Sequence, residues 1–151
     1  MNLPNQLTIL RLILTLLFLA AMSMDFPAGK MVSLLIFSTA SFTDFLDGYI
    51  ARKYNLITNF GKLMDPLVDK ILMTGGFVML VASGHIPGWI VVIILAREFM
   101  VTGLRLIASA EGKVLAAENL GKYKTIIQIV TIIYFLLYLA ATETGSPLGG
   151  M

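Results

Sequence analysis

The sequence predicts an all-α, polytopic transmembrane helix bundle, and three observations carry that expectation. Hydrophobic residues make up 58% of the 151 and charged residues only 13%, with a mean hydropathy of +0.87. A soluble domain has about 25% charged residues, so this chain lacks the polar surface that a globule in water requires. The apolar residues also gather in five stretches, each close to the ~20 residues that cross a bilayer. Finally, the breaks between stretches are turn-like, as in Asp25-Phe26-Pro27-Ala28-Gly29 and Ser83-Gly84-His85-Ile86-Pro87-Gly88. Disorder is excluded, because it requires low hydrophobicity and high charge. The absence of cysteine removes disulfides, thiolate nucleophiles and zinc–thiolate sites. A net charge of +2 without a continuous basic stripe gives no footprint for nucleic acid.

The elements follow in order. Residues 7–24 form the first span, broken only by Arg11 near its start. A signal peptide is the alternative there, with an h-region over 12–21 and a cleavage-like Ala21-Met22-Ser23. Against it stand a single positive charge in the n-region and four further spans. Residues 31–51 are apolar up to Thr43 and then carry Asp44 and Asp47. Residues 66–83 hold Asp69 and Lys70 in their first turns, and residues 89–108 hold Arg97, Glu98 and Arg105. Residues 126–141 carry no charge at all.

Lysine and arginine set the direction. Arg11, Arg52, Lys53, Lys62, Lys113, Lys122 and Lys124 fall on the side of the N-terminus and of the second and fourth loops, and Lys30 alone falls opposite. The N-terminus and the two charged loops are therefore expected in the cytoplasm, with His85 solvated in a short exterior loop. With no repeat, low-complexity tract or linker, residues 1–151 read as one domain.

The acids are concentrated. Four of the five aspartates lie between Asp44 and Asp69. Asp44 and Asp47 are three apart at the cytoplasmic end of the second span, and Asp65 and Asp69 are four apart at the start of the third, so each pair shares one helix face. A connection over residues 52–64 would make the two helices antiparallel neighbours, bringing four carboxylates to one membrane depth. Such a group must either become neutral or attract cations. Oxygen donors without His or Cys favour Mg²⁺ or Mn²⁺, and paired ions of this kind serve phosphoryl transfer. Asp65 before Pro66 also has the look of a helix N-cap followed by proline at N1, but four acids in register within a membrane mark a function. A proton relay or cation pathway is the rival.

The spacing separates the two. Asp44-x-x-Asp47-Gly48-x-x-Ala51-Arg52, eight residues, then Gly61-x-x-x-Asp65-x-x-x-Asp69 matches the D-x2-D-G-x2-A-R-x8-G-x3-D-x3-D signature at every fixed position. A chance match at eight positions is on the order of 10⁻¹⁰ at ordinary residue frequencies. By this signature the chain resembles the CDP-alcohol phosphotransferases. Each small residue also has a physical reading. Gly48 lets a nucleotide approach the backbone, Ala51 keeps the same face clear, and Arg52 can fork onto a diphosphate. Gly75-Gly76 read instead as helix packing.

The resemblance implies six transmembrane helices, a homodimer, and transfer of a phosphoryl-linked group from a CDP-linked donor to an alcohol with release of CMP. It implies that Asp44, Asp47, Asp65 and Asp69 hold two divalent ions, Mg²⁺ or Mn²⁺, and that Asp69 is also the general base. Gly48, Ala51, Arg52, Thr58, Asn5 and Thr8 would contact the CDP moiety. An in-line displacement needs positioning, charge neutralisation and one base, and the chain offers no Ser-His-Asp set or thiol for a covalent route.

Two further blocks bear on the acceptor. Buried cations need anions, and Glu98 is expected to compensate only one of those near it. Arg97, Arg105, Lys122 and Lys124 are therefore candidates for a phosphate on the acceptor, arginine's planar fork suiting that role; snorkelling to headgroups is the alternative, poorest for mid-span Arg97. The blocks Ala96-Arg97-Glu98-Phe99-Met100-Val101-Thr102-Gly103-Leu104-Arg105 and Leu120-Gly121-Lys122-Tyr123-Lys124-Thr125-Ile126-Ile127-Gln128, with the opening Leu3-Pro4-Asn5-Gln6-Leu7-Thr8-Ile9-Leu10-Arg11, resemble one bacterial branch of the family. That branch implies CDP-diacylglycerol as donor, sn-glycerol 3-phosphate as acceptor, and a multi-pass protein of the bacterial inner (plasma) membrane with its active site facing the cytoplasm. Sibling enzymes using an inositol phosphate, phosphatidylglycerol or serine are the near alternatives, and a small cation or proton transporter or a lipid-binding structural protein the distant ones. The family's six helices contrast with five spans here. The tail over 142–151 is too short and polar to cross a bilayer, so a last helix is expected to be lacking and the C-terminus to lie outside.

Overall fold

The computed structural model describes residues 3–55, 58–113 and 119–145. Five helices follow one another: α1 (Leu3–Ser23), α2 (Gly29–Tyr54), α3 (Asn59–Ala82), α4 (Gly88–Ala110) and α5 (Asn119–Glu143). Each corresponds to one expected span, and no strand occurs among the described residues. By length and composition, α1 and α5 are apolar enough to cross a membrane on their own. In α2, α3 and α4 the apolar runs are interrupted by the charges of the candidate site. Large side chains such as Leu16, Leu35, Val92, Leu106 and Val130 face outward, which in a membrane is the solvent-facing state for them.

Local chemistry fixes the helix ends. The hydroxyl of Thr58 accepts the Gly61 N–H at 3.0 Å and caps α3. At the other end of α3 the chain turns through Gly84 at φ +76°. The Gly84 N–H donates to the Val81 carbonyl and the His85 N–H to that of Leu80, which is a Schellman closure. Gly112 at φ +72° closes α4 in the same way.

Two expectations about this region are corrected. Asp65 is not an N-cap: α3 begins six residues earlier, at the Thr58 cap, and Pro66 lies inside the helix. The connection between α2 and α3 is accordingly not residues 52–64. Helix α2 runs on to Tyr54, and only residues 55–58 join the two, of which 56 and 57 lie outside the described residues. Thr58 caps the backbone at the start of α3, so the chain is already helical when it reaches Asp65, and Pro66 removes one backbone donor and crowds the preceding turn without ending the helix.

The core sits where α1, α2, α3 and α5 meet. Phe18, Phe37, Leu72, Leu80, Ile132 and Leu136 are buried there, with the rings of Phe18 and Phe37 centred 5.4 Å apart. Gly75 and Gly76 are packing residues as expected. A Cβ on Gly76 would lie 2.9 Å from Ile132 Cδ1 and 3.3 Å from Phe37 Cε2, and one on Gly75 would lie 3.0 Å from Leu19. Helix α1 packs most extensively on α2 and then on α3, and α5 packs on α2. Helix α4 rests on α3, and its backbone does not approach that of α5. Between α4 and α5 an open groove runs from His85 to Lys124 along Phe77, Ile94 and Ile127. His85 is not freely solvated: its ring meets Tyr138 at 5.8 Å and Phe135 at 6.5 Å, and its Nδ1 lies 3.3 Å from Ser83 Oγ. Of the C-terminal tail, residues 146–151 lie outside the described residues.

Candidate active site

The acids of α2 and α3 are joined through α1. On α1, Thr8 and Arg11 are three residues apart and share the face that looks at Asp47. Both are buried, Arg11 completely. The guanidinium of Arg11 lies 2.8 Å from Asp44 Oδ1 and 3.1 Å from Asp47 Oδ2. The Thr8 hydroxyl lies between Asp47 Oδ2, at 3.2 Å, and Asp65 Oδ1, to which it is also hydrogen-bonded. Three of the four aspartates are thus tied into one network by two side chains of the first helix.

Asn5 and Thr58 close one edge of this network. The Thr58 hydroxyl donates to Asn5 Oδ1 at 2.7 Å. Gly61 sits beneath them: a Cβ there would lie 3.2 Å from Thr58 Oγ1, 3.4 Å from Asn5 Oδ1 and 3.7 Å from Asp65 Oδ2. The glycine of the signature is therefore set by the close approach of α1 to the start of α3. Gly48 differs. A Cβ there would meet only Arg52 Nη2, at 3.6 Å, so the face of α2 that carries Gly48, Ala51 and Arg52 is open, with the exposed Arg52 side chain folded back along it.

Asp69 stands at the seam with the other helices. It lines a small open cleft together with Lys70, Thr74, Glu98 and Gln128, and it lies within electrostatic range of Asp44, Arg11, Lys124 and Lys70. Lys70 donates to Thr102 at 2.7 Å, which ties α3 to α4.

The four basic residues expected to serve the acceptor are not gathered together. Lys124 reaches Glu98 across the groove from α5. Arg97, half exposed, pairs with the same Glu98 oxygen at 3.1 Å. One carboxylate thus serves two cations, where only one was expected, because Glu98 lies between α4's own arginine and the facing lysine. Arg105 and Lys122 are exposed. Sequence reasoning missed Arg11, Lys70 and Gln128. An arginine inside an otherwise apolar span was the available signal for Arg11, but it had been counted as a charge at the membrane edge. The inside-positive count loses Arg11, while the exposed Arg52, Lys53, Lys113 and Lys122 keep the same sign; the Lys62 side chain lies outside the described residues.

The residues fit a hard divalent cation. All candidate donors are oxygens, and two buried carboxylate oxygens, Asp47 Oδ1 and Asp69 Oδ1, have no hydrogen-bond partner. Unpartnered buried polar atoms are costly and need an explanation, and for carboxylate oxygens a bound cation is one. Among the described residues no three acids form a ready-made metal cluster; Arg11 and Thr8 engage the oxygens that face them.

Acids of two neighbouring helices, gathered around Arg11 and Thr8 at one end of an apolar bundle, mark a membrane protein with a polar site at its edge. The family model described as CDP-alcohol phosphatidyltransferase matches residues 1–148, and the chain belongs to that family. It is accordingly a phosphatidyltransferase, and the transporter and structural readings fall away. It is similar to the CDP-diacylglycerol–glycerol-3-phosphate 3-phosphatidyltransferase of Bacillus subtilis (strain 168), 42% identical over 149 residues that cover 91% of this chain and 77% of the relative. The protein of the same name from Rickettsia bellii is 40% identical over 136 residues, covering 90% and 75%. The probable phosphatidylglycerophosphate synthase of Mycobacterium tuberculosis (strain H37Rv) is 42% identical over 142 residues, covering 92% and 68%.

Proposed function

We propose that this protein transfers the phosphatidyl group of CDP-diacylglycerol to sn-glycerol 3-phosphate, forming phosphatidylglycerophosphate and releasing CMP. The observation that carries the reading is the combination of the complete aspartate signature with relatives at about 40% identity that bear this activity in their names. In this reading one acceptor hydroxyl forms a new bond to the phosphorus that bears diacylglycerol, and the bond from that phosphorus to the CMP oxygen breaks. Asp69, with a buried oxygen free of hydrogen bonds, takes the hydroxyl proton.

Two divalent ions, Mg²⁺ or Mn²⁺, would be held by Asp44, Asp47, Asp65 and Asp69. When bound, they neutralise charge on the diphosphate and on the leaving oxygen. The open face of Gly48, Ala51 and Arg52 receives the CMP part of the donor, with Arg52 forked onto phosphate. Asn5, Thr8 and Thr58 border the same place, Thr8 positioning Asp47 and Asp65. The acceptor phosphate enters the cleft beside Asp69 and takes Lys124 and Arg97 from their shared Glu98. Arg105 and Lys122, near the cytoplasmic surface, add positive potential that draws the anion in. The five helices act as one catalytic domain, as a homodimer in a bacterial inner membrane, with the site on the cytoplasmic side where the exposed basic residues lie.

The test is CMP release by purified protein given CDP-diacylglycerol, Mn²⁺ or Mg²⁺, and each candidate alcohol in turn. Release with sn-glycerol 3-phosphate alone is the expected result. Release with an inositol phosphate and none with glycerol 3-phosphate overturns the acceptor, and no release with any alcohol overturns the reading.

A further inference from the structure

Arg11 is fully buried within an apolar helix, where a lone guanidinium would be very costly. Its fork spans two carboxylates on successive turns of α2: Nη2 donates to Asp47 Oδ2 at 3.1 Å, and Nη1 forms an ion pair with Asp44 Oδ1 at 2.8 Å without a hydrogen bond of its own. The second oxygen of Asp47 is buried and has no hydrogen-bond partner. A cation that grips one oxygen of a carboxylate and leaves the other bare has the position of an outer partner to a metal ligand.

We propose that Arg11 is a positioning residue of the divalent-cation site: its guanidinium fixes Asp44 and Asp47 by one oxygen each, so that their remaining oxygens are presented to the ion. The inference rests on the metal site of the proposed function and adds a residue to it from outside the aspartate signature. Lysine cannot replace it. A single ammonium carries the same charge but has no planar fork to hold two carboxylates at set distances. Loss of an outer partner typically lowers metal affinity 10–100-fold.

The experiment is titration of the full chain in detergent with Mn²⁺ alone, following the free-ion signal by electron paramagnetic resonance, in the wild type and in Arg11→Lys. The metal-free thermal midpoint is read beside it. The expected result is a 10–100-fold weaker Mn²⁺ affinity in Arg11→Lys at a midpoint close to that of the wild type, since the buried charge is kept. Equal affinity in the two proteins overturns this inference alone. A wild type that binds no Mn²⁺ overturns the metal reading and this inference with it.

A second measurement needs no variant, and it decides the matter if Arg11→Lys fails to fold. Of the four arginines, only Arg11 is buried, so a protein labelled with ¹⁵N-arginine should show one guanidinium protected from solvent exchange. That signal should shift on addition of Mg²⁺ and stay protected. Loss of its protection with Mg²⁺ would mean that Arg11 leaves the carboxylates as the ion binds, and would overturn the proposal.

Discussion

The two halves of the candidate site are built on opposite plans. Where α1, α2 and α3 meet, Arg11, Asp44, Asp47, Thr8 and Asp65 interlock, and Asn5 and Thr58 are bonded to each other above Gly61. Where α4 and α5 face each other, their backbones stay apart and a single carboxylate, Glu98, is shared by Arg97 and Lys124. In the proposed function the closed half fixes the groups that make and break bonds, and the open half leaves room for a phosphate to take its cations from their shared partner. The contrast teaches that burial separates the two tasks: a buried ion pair is expensive to disrupt, whereas a partly exposed one contributes little and exchanges readily.

The sharpest test falls on Asp69, at the seam. Asp69→Asn should lower turnover about 10²–10⁴-fold, the usual worth of a positioned general base, while CMP binding measured by calorimetry stays within about threefold of the wild type. A near-normal rate would remove its role as base and erase the seam between the halves.

The open half is tested by unequal lysines. Lys124→Met should raise the KM for glycerol 3-phosphate about 10–100-fold, as expected for a charge-assisted hydrogen bond worth about 1.5–3 kcal/mol. Lys122→Met, on the same helix but in solvent, should raise it by no more than about fivefold, the reach of an exposed charge worth up to ~1 kcal/mol. Equal effects would show that the cleft beside Asp69 is not where the acceptor phosphate rests.

The smallest effect belongs to the closed half's one open face. The added methyl of Gly48→Ala meets nothing closer than Arg52 at 3.6 Å. The change should stabilise the protein by up to about 1 kcal/mol through helix propensity, seen as a higher thermal midpoint, while raising the KM for CDP-diacylglycerol about tenfold, which corresponds to ~1.4 kcal/mol. Unchanged KM would mean that the donor does not lie against this glycine.

Much of the molecule was legible along the chain because its signals are local. The five helices follow from apolar runs separated by turns, and the placement of Asp44 with Asp47, or of Asp65 with Asp69, follows from helix periodicity alone. One failure was local and another was not. Asp65-Pro66 imitates a helix start, and only the Thr58 cap shows that α3 has already begun. His85 looked solvated because its loop is polar, yet two aromatic rings of α5 pack against it.

By itself, then, the sequence determined the class of protein, the helices and the aspartate signature, since composition and spacing are properties of one strand of chain. Only the tertiary structure decided that Arg11 and Thr8 of α1 hold the acids of α2 and α3, and that Lys124 meets Glu98 rather than standing with Lys122. Those contacts join residues 26 to 57 positions apart, and they depend on how each helix is rotated about its axis against its neighbours. That rotation is set by packing, as where Gly76 admits Ile132 and Phe37, and no periodicity within a single helix encodes it.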